Sequence, residues 1–268
     1  MKISIITLFP KMISGFFDES IVKRAQEKKL VELEIINLRD FAVDSYGTVD
    51  DRPYGGGAGM VMKIEPILTA LEKIKNLPAG RQVKIQNSKS KDSNMKIVLT
   101  SAKGKVFNQE KASELAKLEH LVLIAGHYEG VDERIISQVD EEISLGDFVM
   151  TGGEITAAAI ADAIVRLLPG VLKKETATAI ESFFTVKITD LEKIIPDDEL
   201  LQKIKSKEVK EIQLLEFPHY TRPENFNGQK VPEVLLSGNE KKIWEWRMGK
   251  AWEETVKKRK DLLDKFLK

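Results

Sequence analysis

The chain has 268 residues, enough for one large domain or a main domain with a smaller companion, and its 42% hydrophobic content supports a sizeable core. Lys plus Arg and Asp plus Glu are both 42, so the formal net charge is zero; this is no general polyanion binder, and any nucleic-acid contact has to come from local patches. The absence of cysteine excludes disulfides, thiolate zinc sites and cysteine nucleophiles, and no run of about 20 apolar residues could cross a membrane.

MKISIITLFP lacks a signal-peptide pattern, so a cytoplasmic protein is the simplest expectation. In chain order, Lys2 to Leu8 is rich in Ile and reads as a buried strand. Pro10 suits the first turn of a helix whose apolar pattern (Met12, Ile13, Phe16, Phe17, Ile21, Val22) runs from Met12 to Lys28. Val31 to Ile36 alternates as a strand. A long polar segment, Asn37 to Gly59, then precedes a helix over Ile64 to Lys75, and loops of that length in compact domains are functional or disordered. Met95 to Thr100 and His120 to Ala125 read as strands around a helix over Gln109 to Leu118. A further helix is expected near Val131, and Glu142 to Met150 holds short extended pieces. Glu154 to Leu168 is an Ala/Ile-rich buried helix stopped by Pro169-Gly170. Strands alternating with helices place the chain in the α/β class with a mostly parallel sheet.

Two stretches look inserted. Asn76 to Asn94 is polar without apolar periodicity; Thr185 to Gln213 is rich in Lys and Glu, with a short helix near Asp197 to Lys207. The C-terminal piece opens on Phe217 to Phe226 and continues as helices around Glu240 to Met248 and Trp252 to Leu267. From Lys241 to Lys268 ten Lys/Arg stand against five Asp/Glu, a basic excess that fits either an RNA-facing patch or an ordinary solvated helix surface.

Four segments carry candidate chemistry. In Asp50 to Met60, DDRPYGGGAGM, the glycines let backbone amides approach a ligand, while Arg52 and Tyr54 offer a guanidinium and a ring for phosphate and base; the spacing matches neither a Walker loop nor a dinucleotide fingerprint, and a surface loop is the alternative. GHYEGVDER, Gly126 to Arg134, follows a strand at the end where parallel sheets bind ligands. Tyr128 and Glu129 there suit a cationic sulfonium, whereas Asp132 and Glu133 fit helix capping. His127 has no second His or Cys at metal spacing, so no transition-metal site is expected. SLGDFVMTGGE, Ser144 to Glu154, could wrap an adenine or simply join strand to helix. FPHYTRPENFNG, Phe217 to Gly228, suits stacking on unpaired bases or packing between domains.

Together with RDF, RLLPGVL, VPEVLLSGN and WR, these segments resemble the bacterial tRNA (guanine-N1)-methyltransferase family of the SPOUT class over nearly the whole chain. The resemblance implies a deep trefoil knot, an exception to unthreaded topology, within a methyltransferase domain over 1–172. It also implies a linker over 173–213 that carries the second insertion, a small helical tRNA-binding domain over 214–268, and a homodimer whose active sites lie at the subunit interface. Carried over by motif, S-adenosylmethionine would touch Leu99, Thr100, Gly126, Tyr128, Glu129, Ser144, Leu145, Gly146, Asp147, Phe148, Val149, Met150, Gly152, Gly153 and Thr156. Contacts to tRNA would come from Arg52, Tyr54, Gly59, Ser182, His219, Tyr220 and Arg222. Magnesium is implied as an assistant, though the sequence holds no evident carboxylate cluster for it. The family's usual proline is Ala102 and Thr156 here, which predicts less stiff knot loops.

The implied reaction moves methyl to N1 of the guanosine just 3′ of the anticodon (position thirty-seven). Arg166 matches the arginine that stabilises O6. Glu181-Ser182-Phe183 stands where the family has Asp-Ser-Phe, so the expected base carries an extra methylene, roughly 1.5 Å of added reach. Glu175 and Glu216 are reserve bases. Two other readings stay open: another SPOUT enzyme acting on ribosomal RNA or a ribose 2′-hydroxyl, and a catalytically silent RNA-binding factor.

Overall fold

The computed structural model describes residues 1–75, 94–173 and 180–267. The polar insertion near 76–94 therefore lies, Asn94 apart, outside the described residues, as does Glu175. Two compact units are present, Met1–Lys173 and Lys174–Lys268.

The first unit is built on a five-stranded sheet. Its strands are β1 (Lys2–Thr7), β2 (Glu32–Asn37), β5 (Met95–Val106), β6 (His120–Ala125) and β7 (Glu141–Ser144), in the order β2-β1-β6-β5-β7. Every pairing in it is parallel. Parallel strands covered on both faces need apolar residues on both, and β1 and β6 supply them: Ile3, Ile5, Ile6 and Leu121 to Ala125 are all fully buried. One face packs against α1 (Lys11–Phe17), α2 (Ser20–Glu27), α4 (Gln109–Leu115) and α5 (Glu154–Val165). The other packs against α3 (Ile64–Ile74) and the 3-10 turns at Leu38–Phe41 and Glu133–Gln138. A short antiparallel pair, β3 (Asp50–Asp51) and β4 (Val61–Met62), brackets the glycine-rich loop.

Three local expectations differ. The helix read from Met12 to Lys28 is broken, because Glu19 is extended (φ −129°, ψ 163°) and the Gln26 side chain donates to the Phe17 carbonyl, satisfying an orphan acceptor at the end of α1. The helix expected near Val131 is only a 3-10 turn, capped by Asp132 through the Arg134 amide. Strand β5 runs past Thr100 to Val106, with a register shift between Thr100 and Lys105 before pairing with β7 resumes.

The second unit is mixed rather than purely helical. Residues 184–214, all but the last expected as connector, form β8 (Phe184–Lys187), α6 (Ile188–Glu192), α7 (Glu199–Lys205) and β9 (Glu211–Leu214), with β8 and β9 antiparallel. The cause is a period-two pattern inside the Lys/Glu-rich stretch: Val186, Ile212 and Leu214 point into a core shared with Phe217, Met248, Ala251 and Trp252. Trp252 also donates its indole N–H to Asp198, which caps α7 with its other oxygen. After a two-rung ladder of β10 (Asn225–Phe226) with β11 (Gln229–Lys230) come α8 (Glu233–Leu236), α9 (Glu240–Lys258) and α10 (Asp261–Asp264). The two C-terminal helices expected on either side of Gly249 are thus one long helix and a single turn; the break falls at Arg259, whose backbone leaves the helical region at φ −139°. No helix among the described residues is long and apolar enough to cross a membrane.

Candidate active site

The carboxyl ends of β6 and β7 and the Leu99–Lys103 stretch of β5 converge on one cleft. It is lined by Leu99 and Thr100 from β5, by Gly126, Tyr128 and Glu129 after β6, and by Ser144, Leu145, Gly146, Phe148, Val149, Met150, Gly152, Gly153 and Thr156 from β7 to the first turn of α5. Of the residues carried over as cofactor contacts, only Asp147 is absent from that lining.

The cleft's floor needs glycine. A Cβ on Gly153 would fall 1.9 Å from Thr100 Oγ1 and 2.9 Å from the Gly126 nitrogen, because the Gly153 amide donates to the Gly126 carbonyl at 2.6 Å. Thr100 completes the joint: its hydroxyl donates to the Ile124 carbonyl and accepts from the Gly126 amide. Ser144, also buried, ties its hydroxyl to the Gly146 amide and carbonyl and so turns the chain off β7. Apolar walls from Leu99, Val131, Ile136, Ile143 and Leu145 face three carboxylates, Glu129, Glu133 and Glu142, with Lys103 among the lining residues as well. A cleft with that balance favours a cationic ligand with a flat apolar part.

The glycine-rich loop meets this cleft. Gly59, at φ +88°, lies so close to Glu129 that a Cβ would sit 2.5 Å from its Oε1, and the Glu129 amide donates to the Met60 carbonyl. Arg52 and Tyr54 are exposed on the same loop.

Arg166 follows the last residue of α5 as its C-cap, with its amide bonded to the Asp162 carbonyl. In the second unit, Glu181-Ser182-Phe183 is an anchored turn. The Phe183 amide donates to the Leu214 carbonyl at 2.7 Å, the Phe184 amide to the Glu181 carbonyl at 2.9 Å, and Phe183 holds a left-handed φ of +75° beneath the Arg259 guanidinium. The Ser182 hydroxyl accepts from the Glu216 amide, and the Glu216 carboxylate contacts His219 Nε2 at 3.2 Å. His219, Tyr220 and Arg222 line an open cleft of this unit with Phe217, Trp246 and Arg247. Among the described residues no group of three His, Asp or Glu side chains could hold a metal ion. No step is assigned to magnesium.

Sequence reading weighed His127 only as a metal ligand and gave Glu154 no role of its own. His127 lines the cleft and Glu154 is fully buried beneath it, 3.3 Å from Nδ1. The available signal was an acid at the first position of an Ala/Ile-rich helix, since a buried carboxylate requires partners.

The family model described as tRNA (Guanine-1)-methyltransferase TrmD matches residues 1–265. Among curated relatives, proteins named tRNA (guanine-N(1)-)-methyltransferase are similar at nearly full length. The one from Carboxydothermus hydrogenoformans is 46% identical over 98% of this chain and 87% of its own. That from Fusobacterium nucleatum is 46% identical over 98% and 92%, and that from Dictyoglomus turgidum 45% over 99% and 91%. With a model spanning the chain and relatives of this identity, the chain belongs to the tRNA (guanine-1)-methyltransferase family.

Proposed function

We propose that the protein transfers methyl from S-adenosylmethionine to N1 of the guanosine immediately 3′ of the tRNA anticodon. The carrying observation is the cleft beside mid-β5 and the ends of β6 and β7, apolar-walled and rich in carboxylates. Its apolar walls suit adenine, and Glu129, Glu133 and Glu142 suit the donor's positive charges. Bound there, S-adenosylmethionine supplies a methyl group on cationic sulfur.

The chain's own residues then have two tasks. Neutral guanine keeps a hydrogen on N1 and attacks poorly until it leaves; the Glu181 carboxylate takes that proton. Negative charge grows on O6 as it departs, and the Arg166 guanidinium meets it. The anchored turn around Phe183 supports Glu181 as a base, because it fixes the backbone from which the longer side chain reaches. Arg52, Tyr54, Gly59 and Ser182, with His219, Tyr220 and Arg222, hold the tRNA. The aromatic and basic lining around Tyr220 and Trp246 suits unpaired bases.

We also read the first unit as a trefoil knot. After β7, at the sheet's edge, the chain returns past β5 to pair His127 with Gly152 and start α5 against Thr100, and Gly104 of β5 presses on the Ile143 backbone where the register shifts. The protein acts as a homodimer. Met12 and Phe16 on α1 and Ile155 on the adjoining α5 are each about half exposed, at 49%, 50% and 55%, as an apolar face that a second copy would cover.

The test is transfer of labelled methyl to unmodified tRNA transcripts. The label is expected as N1-methylguanosine, and only in transcripts with guanosine after the anticodon. Label recovered in a ribose or only in ribosomal RNA would move the protein to another knotted methyltransferase activity; no transfer to any RNA would leave a binding factor.

A further inference from the structure

The end of β1, the turn after β6 and the start of α5 meet at a buried carboxylate. Glu154 is wholly inaccessible, yet both of its oxygens are engaged: Thr7 Oγ1 donates to Oε1 at 2.9 Å, and His127 Nδ1 lies 3.3 Å from Oε2. As the first residue of α5, Glu154 also sits at the positive end of that helix. Thr7 in turn accepts from the Phe9 amide, so the acid is fixed from both sides. With a proton on Nδ1, His127 donates to this carboxylate.

His127 is itself clamped. Its ring lies 4.6 Å from Phe9 and 4.9 Å, edge-on, from Tyr128; its amide donates to Met62 Sδ; its backbone bridges to Gly152. Beside it stands Tyr128, a cleft residue held at φ +59°. A side chain in that left-handed region is strained and persists only where the surroundings over-determine it. Gly152 must lack a side chain for the same reason, since a Cβ there would lie 2.2 Å from His127 Nδ1 and 2.3 Å from Glu154 Oε2.

We propose that His127 is a positioning residue: through its Nδ1 bond to Glu154 it locks the Gly126–Gly130 turn in the conformation that presents Tyr128 to the methyl donor. The proposal rests on the reading of this cleft as the S-adenosylmethionine site. It makes the hydrogen bond, not the ring's bulk, the feature that matters, and side-chain geometry separates the two. An asparagine amide nitrogen occupies nearly the place of Nδ1, a glutamine amide reaches past it, and phenylalanine keeps a ring against Phe9 and Tyr128 without any donor.

The test is calorimetric titration of the full-length protein and its His127→Asn, His127→Gln and His127→Phe variants with S-adenosylhomocysteine, alongside steady-state kinetics. Asparagine is expected to bind within about threefold of the parent, while glutamine and phenylalanine weaken binding by about tenfold or more, roughly 1.4 kcal/mol. In those two variants the KM for S-adenosylmethionine rises by a larger factor than kcat falls, and the KM for tRNA stays put. Binding by His127→Phe within threefold of the parent, or equal losses in all three variants, overturns the role of the Glu154 bond while leaving the cleft assignment intact. No binding by the parent protein removes the cleft assignment, and this inference with it.

Discussion

Glu181 shows how far one methylene has to be accommodated. Its carbonyl accepts the Phe184 amide, and Phe183 next to it is pinned to Leu214, so the backbone has little freedom to retreat from the extra reach of glutamate. The side chain is half-buried, which places its carboxylate neither in open solvent nor in a sealed core. General-base catalysis contributes typically 10²–10⁴-fold. Glu181→Gln is therefore expected to lower kcat by at least about 100-fold while S-adenosylhomocysteine binds as before, because the proposed cofactor cleft is lined by residues of the other unit. Glu181→Asp is expected to keep measurable turnover. Near-normal turnover by the glutamine variant in a single-turnover assay would assign the base to another carboxylate. Glu216 is poorly suited, since its carboxylate already contacts His219.

At the scale of elements, the sheet was the most legible part of the sequence and the connections the least. The Ile-rich run of β1 and the apolar run of β6 are buried on both faces, and such runs announce themselves without any partner. β8 and β9 were hidden because Val186, Ile212 and Leu214 are their buried apolar positions, with Phe184 partly buried, while Thr185, Lys187, Glu211 and Gln213 fill the alternate ones. The candidate site was legible residue by residue through the glycine-bearing motifs, whereas the Glu154–His127 contact joins residues 27 apart and could only be seen in three dimensions. The opposite end of the sheet yields a test of its own. Lys111 and Glu114 of α4 share a network with Lys96 of β5 and Glu141 of β7. Hydrogen bonds from Lys111 and then Lys96 hold the Glu114 carboxyl down to about 2, against an ordinary 4.5. A carboxyl whose folded value is depressed stabilises the fold above its unfolded value, and that contribution is lost as pH falls from about 4.5 toward 2. Because Glu114 is 48% exposed, solvent screening keeps the effect small. Glu114→Gln is expected to lower Tm at pH 7 by a few degrees at most (about 1–3 °C), with the gap closing as pH falls through that window. A gap that stays constant to pH 2.5 would show that the network carries no proton-linked stability.

At the scale of the whole molecule, the proposed chemistry divides its two essential groups between units: Arg166 follows α5 in the first, and Glu181 opens the second. If each active site of a homodimer draws these groups from different copies, two separately inactive chains can repair each other. In a mixed dimer of an Arg166→Ala chain with a Glu181→Gln chain, one site receives both altered residues and the other receives both native ones, because a two-fold axis exchanges every contact. Dimers carrying one copy of each, isolated through two different affinity tags, are expected to regain about half the wild-type kcat, while each variant homodimer stays at least about 100-fold down. The proposed cofactor cleft is native in both chains, so S-adenosylhomocysteine should bind every form alike and separate failed chemistry from failed folding. Should the mixed dimer be as inactive as its parents, Arg166 and Glu181 serve the same copy. The apolar face of Met12, Phe16 and Ile155 would then be an assembly surface without a part in assembling the catalytic pair.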